Sequence, residues 1–209
     1  MDRQKEVKLI VVGETNVGKT SLIKQYIDHT FVEEKTATIG YDTIQKELEI
    51  NGKSIRLNIW DTCGQEQYRT INQMFVKNSK MALLVYDITD RETFEELKKY
   101  WYQYIKSALE EELIIGVAGN KCDLYEEEQV KIEEGKEYAQ SIGAVFKETT
   151  AKNDEAITEL IELMAKKYLD NIASKVDDVK DNKNIDKNNK SGNLKLNNNQ
   201  SKPNKKGCC

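Results

Sequence analysis

The stretch Gly13-Glu14-Thr15-Asn16-Val17-Gly18-Lys19-Thr20 decides the fold of this chain, because its spacing, G-x-x-x-x-G-K-[ST], is that of a loop that cradles phosphates. A β-branched run at residues 7–12 precedes it and predicts a buried strand, while residues 19–27 predict a helix. Glycines let successive backbone N–H groups curl around a phosphate chain, and the helix N-terminus adds partial positive charge. Lys19 would place an ammonium on the outer phosphates, and the Thr20 hydroxyl would bind Mg²⁺. The sequence therefore predicts a nucleoside triphosphate site, without specifying the base, lined by Gly13, Asn16, Val17, Gly18, Lys19, Thr20 and Ser21.

Strand and helix patterns go on alternating along the chain, which predicts a three-layer α/β domain with a six-stranded, mostly parallel sheet and about five helices. Asn51-Gly52 supplies the turn of an antiparallel hairpin, which gives the sheet its one antiparallel strand. The predicted strands cover residues 7–12, 43–50, 54–60, 81–86, 113–118 and a short segment near 145–146, and the further helices cover 91–109, 130–142 and 154–168.

Composition excludes several other classes of protein. The single histidine, His29, rules out His-based zinc sites and two-histidine catalysis, and no run of 18 apolar residues is present to span a bilayer. The N-terminus does not resemble a secretory signal, and the four cysteines lack metal-ligand spacing, so we expect a reduced, intracellular protein in which Cys63 and Cys122 are small buried side chains.

The chain divides by charge into two parts, a domain at residues 1–170 and a tail at 171–209. The tail has nine Lys against four Asp, ten Asn and no aromatic residue, so its net charge is +5 while the whole chain carries −4. Such a segment buries too little apolar surface to offset its ordering entropy, and it is predicted to be disordered. The acidic domain and the lack of a basic, aromatic-bearing face exclude nucleic acid as the expected partner.

Two further motifs follow predicted strands, at the edge of an open α/β sheet where ligands bind. Asn120-Lys121-Cys122-Asp123 follows the run at 113–118, and the Asp123 carboxylate can accept the adjacent N1–H and 2-amino groups that guanine offers and adenine lacks. The segment Trp60-Asp61-Thr62-Cys63-Gly64-Gln65-Glu66 closes another strand. There Asp61 can hold Mg²⁺ through water, the Gly64 backbone can approach a terminal phosphate, and Gln65 can orient an attacking water.

With these motifs in order, the chain resembles a small GTPase of the Ras superfamily, and most of all its Rab branch. Further marks are Thr38-Ile39-Gly40, Tyr68-Arg69-Thr70-Ile71, Leu84-Val85-Tyr86-Asp87-Ile88-Thr89, Glu148-Thr149-Thr150-Ala151-Lys152 and the terminal Cys208-Cys209. The resemblance implies GTP and GDP as ligands, with Mg²⁺. It also implies that Thr38 joins the Mg²⁺ shell when the γ-phosphate is present, and that Thr38 and Gly64 grip that phosphate. The base would lie against Phe31 and Lys121 and would be held by Asn120, Asp123, Thr150, Ala151 and Lys152.

The resemblance also implies a mechanism in which Lys19, Thr38 and Gln65 position and neutralise the reacting groups. No arginine in the phosphate loop or near Thr38 is placed to act as an internal finger, so we expect slow hydrolysis that a partner accelerates by roughly 10³–10⁵-fold. Several positions depart from the usual Rab pattern. Thr15-Asn16 is bulkier than usual and affects the expected rate, Cys63 replaces Ala, and Thr43 and Met74-Phe75-Val76 alter the surface that effectors would contact.

The two terminal cysteines fit lipid attachment, and the resemblance implies that both are geranylgeranylated. Two lipid chains give the stable anchoring that one chain does not. The expected location is the cytoplasmic face of an intracellular membrane, in exchange with the cytosol. The expected partners of this monomeric G-domain are an exchange factor, a GTPase-activating protein, a GDP-dissociation inhibitor, a prenylation escort protein and effectors of vesicle traffic. Alternatives are a GTP-binding scaffold that barely hydrolyses, a P-loop phosphotransferase acting on a small metabolite, a non-Rab small GTPase, and a tail whose cysteines stay unmodified.

Overall fold

A computed structural model gives the fold and describes residues 5–30, 41–62, 76–107 and 113–190. The chain divides into two units, Met1–Asp170 and Asn171–Cys209. Among the helices in these described ranges, none combines the length and the apolar character needed to cross a bilayer.

One six-stranded sheet organises the first unit, and its strand order is β2-β3-β1-β4-β5-β6. Every neighbouring pair is parallel except β2 and β3, which form an antiparallel hairpin. Asn51 and Gly52 at the hairpin turn both have positive φ, 53° and 72°, as their sequence predicts. The predicted fold class is therefore confirmed. The strands are β1 Lys5–Val12, β2 Tyr41–Ile50, β3 Lys53–Thr62, β4 Met81–Asp87, β5 Ile114–Asn120 and β6 Val145–Glu148.

Alternating side chains of the sheet build two separate cores, which makes the unit three-layered. Leu9 and Val11 of β1 point into one core, shared with the first and last helices, whereas Ile10 and Val12 point into the other, shared with the middle helices. The helices are α1 Lys19–Asp28, α2 Arg91–Glu96, a π-helical turn Leu97–Trp101, α3 Tyr102–Ser107, a 3₁₀ helix Cys122–Glu127, α4 Ile132–Ser141 and α5 Glu155–Lys190.

Two helices differ from their sequence-based predictions. The helix predicted at 91–109 is interrupted by the π turn, in which the Tyr102 N–H bonds to the Leu97 carbonyl. The last helix runs to Lys190, so residues 171–190 are helical where the sequence predicted disorder. Low apolar content prevents a segment from forming a core, but it does not prevent an existing helix from propagating, because each added residue then gains one hydrogen bond.

The carboxyl ends of four strands meet at one edge of the sheet and carry the predicted motifs. The phosphate loop follows β1, Asp61 lies near the end of β3, and Asn120 ends β5. Asp87 ends β4 and is in register with Asn120. This edge is where the candidate site forms.

Candidate nucleotide site

Close backbone packing fixes the phosphate loop against the sheet. Gly13 has a φ of 150°, and a Cβ at this position would lie 2.1 Å from the Val85 carbonyl oxygen on β4. The Lys19 ammonium is buried, and it donates to the Gly13 carbonyl at 2.9 Å and to the Glu14 carbonyl at 2.7 Å. The loop thus curls around its own lysine, which places one positive charge on the concave backbone that was predicted to receive phosphates.

Asn16 lies at the tip of this loop in the left-handed region, with a φ of 66°. Asn is one of the few residues other than Gly that adopts this conformation at modest cost, so a bulkier residue is accommodated here without a change of backbone. The side chain is exposed. Asn16 is therefore compatible with the curvature of the loop and places a polar side chain on its surface.

Thr20 and Asp61 form a pair of oxygen donors below the loop. The Thr20 hydroxyl donates to Asp61 Oδ2 at 2.6 Å, across 41 residues of sequence. Asp61 is buried, and this burial raises the pKa of its carboxyl despite the Thr20 hydrogen bond and the nearby Lys19 charge. Its second oxygen, Oδ1, is buried and has no hydrogen-bond donor in the part of the chain that the structure describes. A buried carboxylate oxygen beside a hydroxyl is the donor set of a hard cation, so these residues fit Mg²⁺.

Asn120 connects the phosphate loop to the predicted base site. Its Nδ2 donates to the Val17 carbonyl at 2.7 Å, and its Oδ1 accepts from the Thr149 hydroxyl at 3.1 Å. Gly18 has a φ of 90°, and a Cβ there would lie 2.5 Å from Asn120 Nδ2. The side chain is nearly fully buried, so this amide is a structural link between β5, the phosphate loop and the segment after β6.

Asp123 lies between two residues of the last motif. Its Oδ1 accepts from the Thr150 hydroxyl at 2.6 Å, and its Oδ2 pairs with the Lys152 ammonium at 2.6 Å. Burial opposes ionisation, but the Lys152 and Thr150 hydrogen bonds outweigh it, and the pKa of Asp123 lies below its ordinary value. Ala151 between them is buried. The carboxylate is therefore charged and oriented, as recognition of two adjacent N–H groups requires.

Lys121 is held by a residue that the sequence analysis did not assign to the site. Its ammonium pairs with Asp87 Oδ2 at 2.5 Å, while Asp87 Oδ1 accepts from the Thr89 backbone and hydroxyl. Lys121 has a left-handed backbone, with a φ of 66°. The signal for Asp87 was available, because it is an acidic residue at the carboxyl end of a buried parallel strand, the edge at which ligands bind.

Two further contacts of residues near the site were also missed. The Trp101 indole donates to the Glu14 carboxylate at 2.9 Å, and His29 Nδ1 lies 2.7 Å from Asp154 Oδ2. The first joins residues 87 positions apart, and no local pattern carries such information. Cys122, predicted to be buried, is half-buried, and burial raises the pKa of its thiol.

The structure thus brings the phosphate loop, Asp61 and residues 120–123 and 149–152 together at one edge of the sheet. Ser21 follows Thr20 in the first turn of α1. Other predicted site residues lie outside the described residues, so their roles stay predictions: Phe31, Thr38, Gly64, Gln65, Cys208 and Cys209.

Comparison with known proteins adds independent evidence. A model of the Ras family matches residues 8–170. Ras-related protein Rab-21 of Bos taurus is 37% identical over 163 residues, which are 78% of this chain and 73% of that protein. Ras-related protein Rab-31 of Mus musculus is 37% identical over 158 residues, covering 76% of this chain and 80% of that protein. Ras-related protein RabJ of Dictyostelium discoideum is 36% identical over 164 residues, which are 78% of this chain and 64% of that protein.

Proposed function

Since this chain belongs to the Ras family and is a Rab-like small GTPase, we propose that it binds GTP and GDP together with Mg²⁺ and hydrolyses GTP as a membrane-anchored switch. The observation that carries the proposal is the Asn120 amide, which joins the phosphate loop at Val17 to the segment that positions Asp123. One bound molecule would have to present phosphates to the first and a base to the second. A guanine nucleotide meets both requirements.

The base would be selected by charge and hydrogen-bond direction. The Asp123 carboxylate accepts only, and its lowered pKa keeps it ionised at neutral pH. Guanine presents two adjacent donors to such a group, whereas adenine presents an acceptor at N1. The Lys121 ammonium, paired with Asp87, is fixed at the same edge of the sheet, so its aliphatic stem would cover the base.

The phosphates would be bound by the loop amides and by Lys19. The ammonium has three N–H donors, so it would donate to phosphate oxygens while the Gly13 and Glu14 carbonyls keep it oriented. Thr20 and Asp61 would hold Mg²⁺, with Thr38 completing the shell in the GTP state. The metal supplies charge neutralisation of the phosphates. Gln65 would orient the attacking water, and an arginine from an activating protein would complete the site.

The membrane role rests on Cys208 and Cys209 and on the basic tail. Two lipid chains would anchor the protein stably, and each basic residue close to an anionic leaflet adds about 1 kcal/mol. The Rab names of its relatives favour a role in vesicle traffic with exchange factors, activating proteins, a GDP-dissociation inhibitor, an escort protein and effectors.

The test is competition for the bound nucleotide. Fluorescent GDP should be displaced by GDP and GTP but not by ADP or ATP, and removal of Mg²⁺ by a chelator should speed its release. Equal displacement by ADP would refute the assignment of the base.

Hydrolysis and anchoring need separate tests. Gln65→Leu should lower single-turnover hydrolysis and leave GDP affinity unchanged, whereas an unchanged rate would favour a GTP-binding scaffold. Mass spectrometry of the native C-terminal peptide should show two geranylgeranyl groups, and free thiols would exclude the proposed anchor.

A further inference from the structure

Trp101 contacts the phosphate loop although it belongs to neither a nucleotide motif nor a strand end. The indole N–H donates to Glu14 Oε1 at 2.9 Å, and the indole is 1% exposed. Glu14 as a whole residue is 9% exposed, which is low for a glutamate in a loop. The hydrogen bond to a buried carboxylate belongs to the stronger class, because one partner is charged.

Glu14 also holds the phosphate-binding lysine through its backbone. Its carbonyl accepts from the Lys19 ammonium at 2.7 Å, a shorter distance than the 2.9 Å from that ammonium to the Gly13 carbonyl. The side chain of the same residue is fixed by Trp101. An unbroken chain of contacts therefore runs from the indole through Glu14 to the Lys19 ammonium.

The π turn places the indole for this contact. Leu97, Trp101 and Ile105 are all fully buried and are spaced by four residues. In a regular α-helix, successive four-residue steps drift around the axis, because one turn takes 3.6 residues. The wider i→i+5 turn at Leu97–Trp101 offsets that drift and keeps the indole on the buried face.

We infer that Trp101 is a positioning residue for nucleotide binding: through the Glu14 carboxylate it fixes the loop segment whose carbonyl orients the Lys19 ammonium. The inference rests on the proposed function, since its main readout is the release of GDP. It adds to that function a physical connection between the α2–α3 stretch and the phosphate site.

The primary experiment measures the GDP dissociation rate of Trp101→Phe, which keeps an aromatic ring but lacks the donor. We expect an increase of about tenfold, corresponding to about 1.4 kcal/mol. Phe94→Leu is the matched control, because Phe94 is buried on the same helical stretch, where it packs on Tyr86 with ring centroids 4.7 Å apart. This control should lower the melting temperature and change the dissociation rate by less than about twofold.

Substitution of Glu14 tests the route of the effect. Glu14→Gln retains an acceptor oxygen for the indole and should give a smaller increase than Trp101→Phe, whereas Glu14→Ala should match Trp101→Phe. The double variant Glu14→Ala/Trp101→Phe should release GDP no faster than either single variant, because both remove the same contact. Rates that multiply in the double variant, or an unchanged rate in Trp101→Phe, would overturn the inference.

A nucleotide-independent readout separates this inference from the proposed function. In ¹⁵N NMR of the whole chain, the Trp101 indole N–H should exchange slowly with water and exchange faster in Glu14→Ala. The Lys19 ammonium signal should lose protection in Trp101→Phe but not in Phe94→Leu. If the wild type binds no guanine nucleotide, the proposed function fails. If the lysine signal is indifferent to Trp101, the positioning role fails.

Discussion

Replacing Asp123 by Asn tests the proposed base recognition most directly. Asp123 carries two acceptor oxygens, one beside Thr150 and one beside Lys152. Each carboxylate oxygen has a second lone pair, so both can also accept from a base. Asn keeps one acceptor but turns the other position into a donor, which would face the 2-amino group of guanine, donor against donor.

The magnitude follows from the two hydrogen bonds at stake. Losing one hydrogen bond to a charged group costs about 1.5–3 kcal/mol, and leaving two donors facing each other adds about 1–3 kcal/mol, so the total is roughly 10²–10⁴-fold in affinity. The Lys152 pair is also lost, but the lysine side chain is more than half exposed, so that loss is minor. Xanthine carries a carbonyl where guanine carries the amino group, and its donor–acceptor pair matches an asparagine.

The assay is displacement of fluorescent nucleotide by GDP and by xanthosine diphosphate. Asp123→Asn should weaken GDP by the factor above and bind xanthosine diphosphate more tightly than GDP. Asp90→Asn is the matched control, because Asp90 caps α2 by accepting from the Glu92 N–H, a role that asparagine fills equally well. GDP affinity within twofold of wild type in Asp123→Asn, or no preference for xanthine, would refute the reasoning.

Three further predictions concern the loop, the titration of the site and the core. Gly18→Ala should lower GDP affinity at least about tenfold, because the new Cβ would lie 2.5 Å from Asn120 Nδ2 at a residue with positive φ. Gly143→Ala is the control, because its Cβ would meet nothing within 4 Å. This control should cost only about 1 kcal/mol of stability and leave GDP binding unchanged, which calorimetry can verify. Because the pKa of Asp123 is depressed in the folded state, its contribution to stability is present above the unfolded pKa and is lost only as the pH falls through the folded pKa. Asp61, whose pKa is raised, and the phosphates titrate alike in wild type and Asp123→Asn, so the ratio of the two GDP affinities should stay constant from about pH 8 to about pH 5. A fall of this ratio beginning at about pH 6 would contradict the assignment of Asp123. Tyr86→Phe should leave the free energy of unfolding unchanged or raise it by up to about 2 kcal/mol, because the Tyr86 hydroxyl is buried and has no hydrogen-bond partner within the described ranges. Denaturant titration measures this free energy. A decrease of more than about 1 kcal/mol would indicate that the hydroxyl has a partner.

The local sequence pattern was sufficient to predict the strands and most of the helices. Residues 9–12 and 81–86 are continuous apolar runs, and both proved to lie in strands buried on both faces, since neighbouring residues of β1 enter different cores. Asn51-Gly52 specified its hairpin because only such residues take two consecutive positive φ angles cheaply. The phosphate loop was predictable for the same kind of reason, as Gly13 and Gly18 are required by backbone approach.

Features set by distant contacts could not be predicted in this way. The Trp101–Glu14 hydrogen bond joins residues 87 positions apart, and the pairing of Lys121 with Asp87 depends on the register that places Asp87 beside Asn120. Neither the spacing of residues on one segment nor its composition contains that information. The extent of α5 was mispredicted for another reason, because composition measures the capacity to form a core and not the capacity to continue a helix.

The arrangement around Asn120 explains how separate motifs can act as one site. Its amide has one donor directed at the loop and one acceptor directed at Thr149, and it is buried, so rotating it would leave two buried polar groups without partners. The backbone reinforces the link, because the Thr149 N–H bonds to the Gly119 carbonyl and the Cys122 N–H bonds to the Thr149 carbonyl. The segments that we propose to bind the base and the phosphates are therefore held at a fixed separation before any ligand arrives. A ligand that spans both segments pays little conformational entropy on binding, whereas one that reaches only one of them gains nothing from the other.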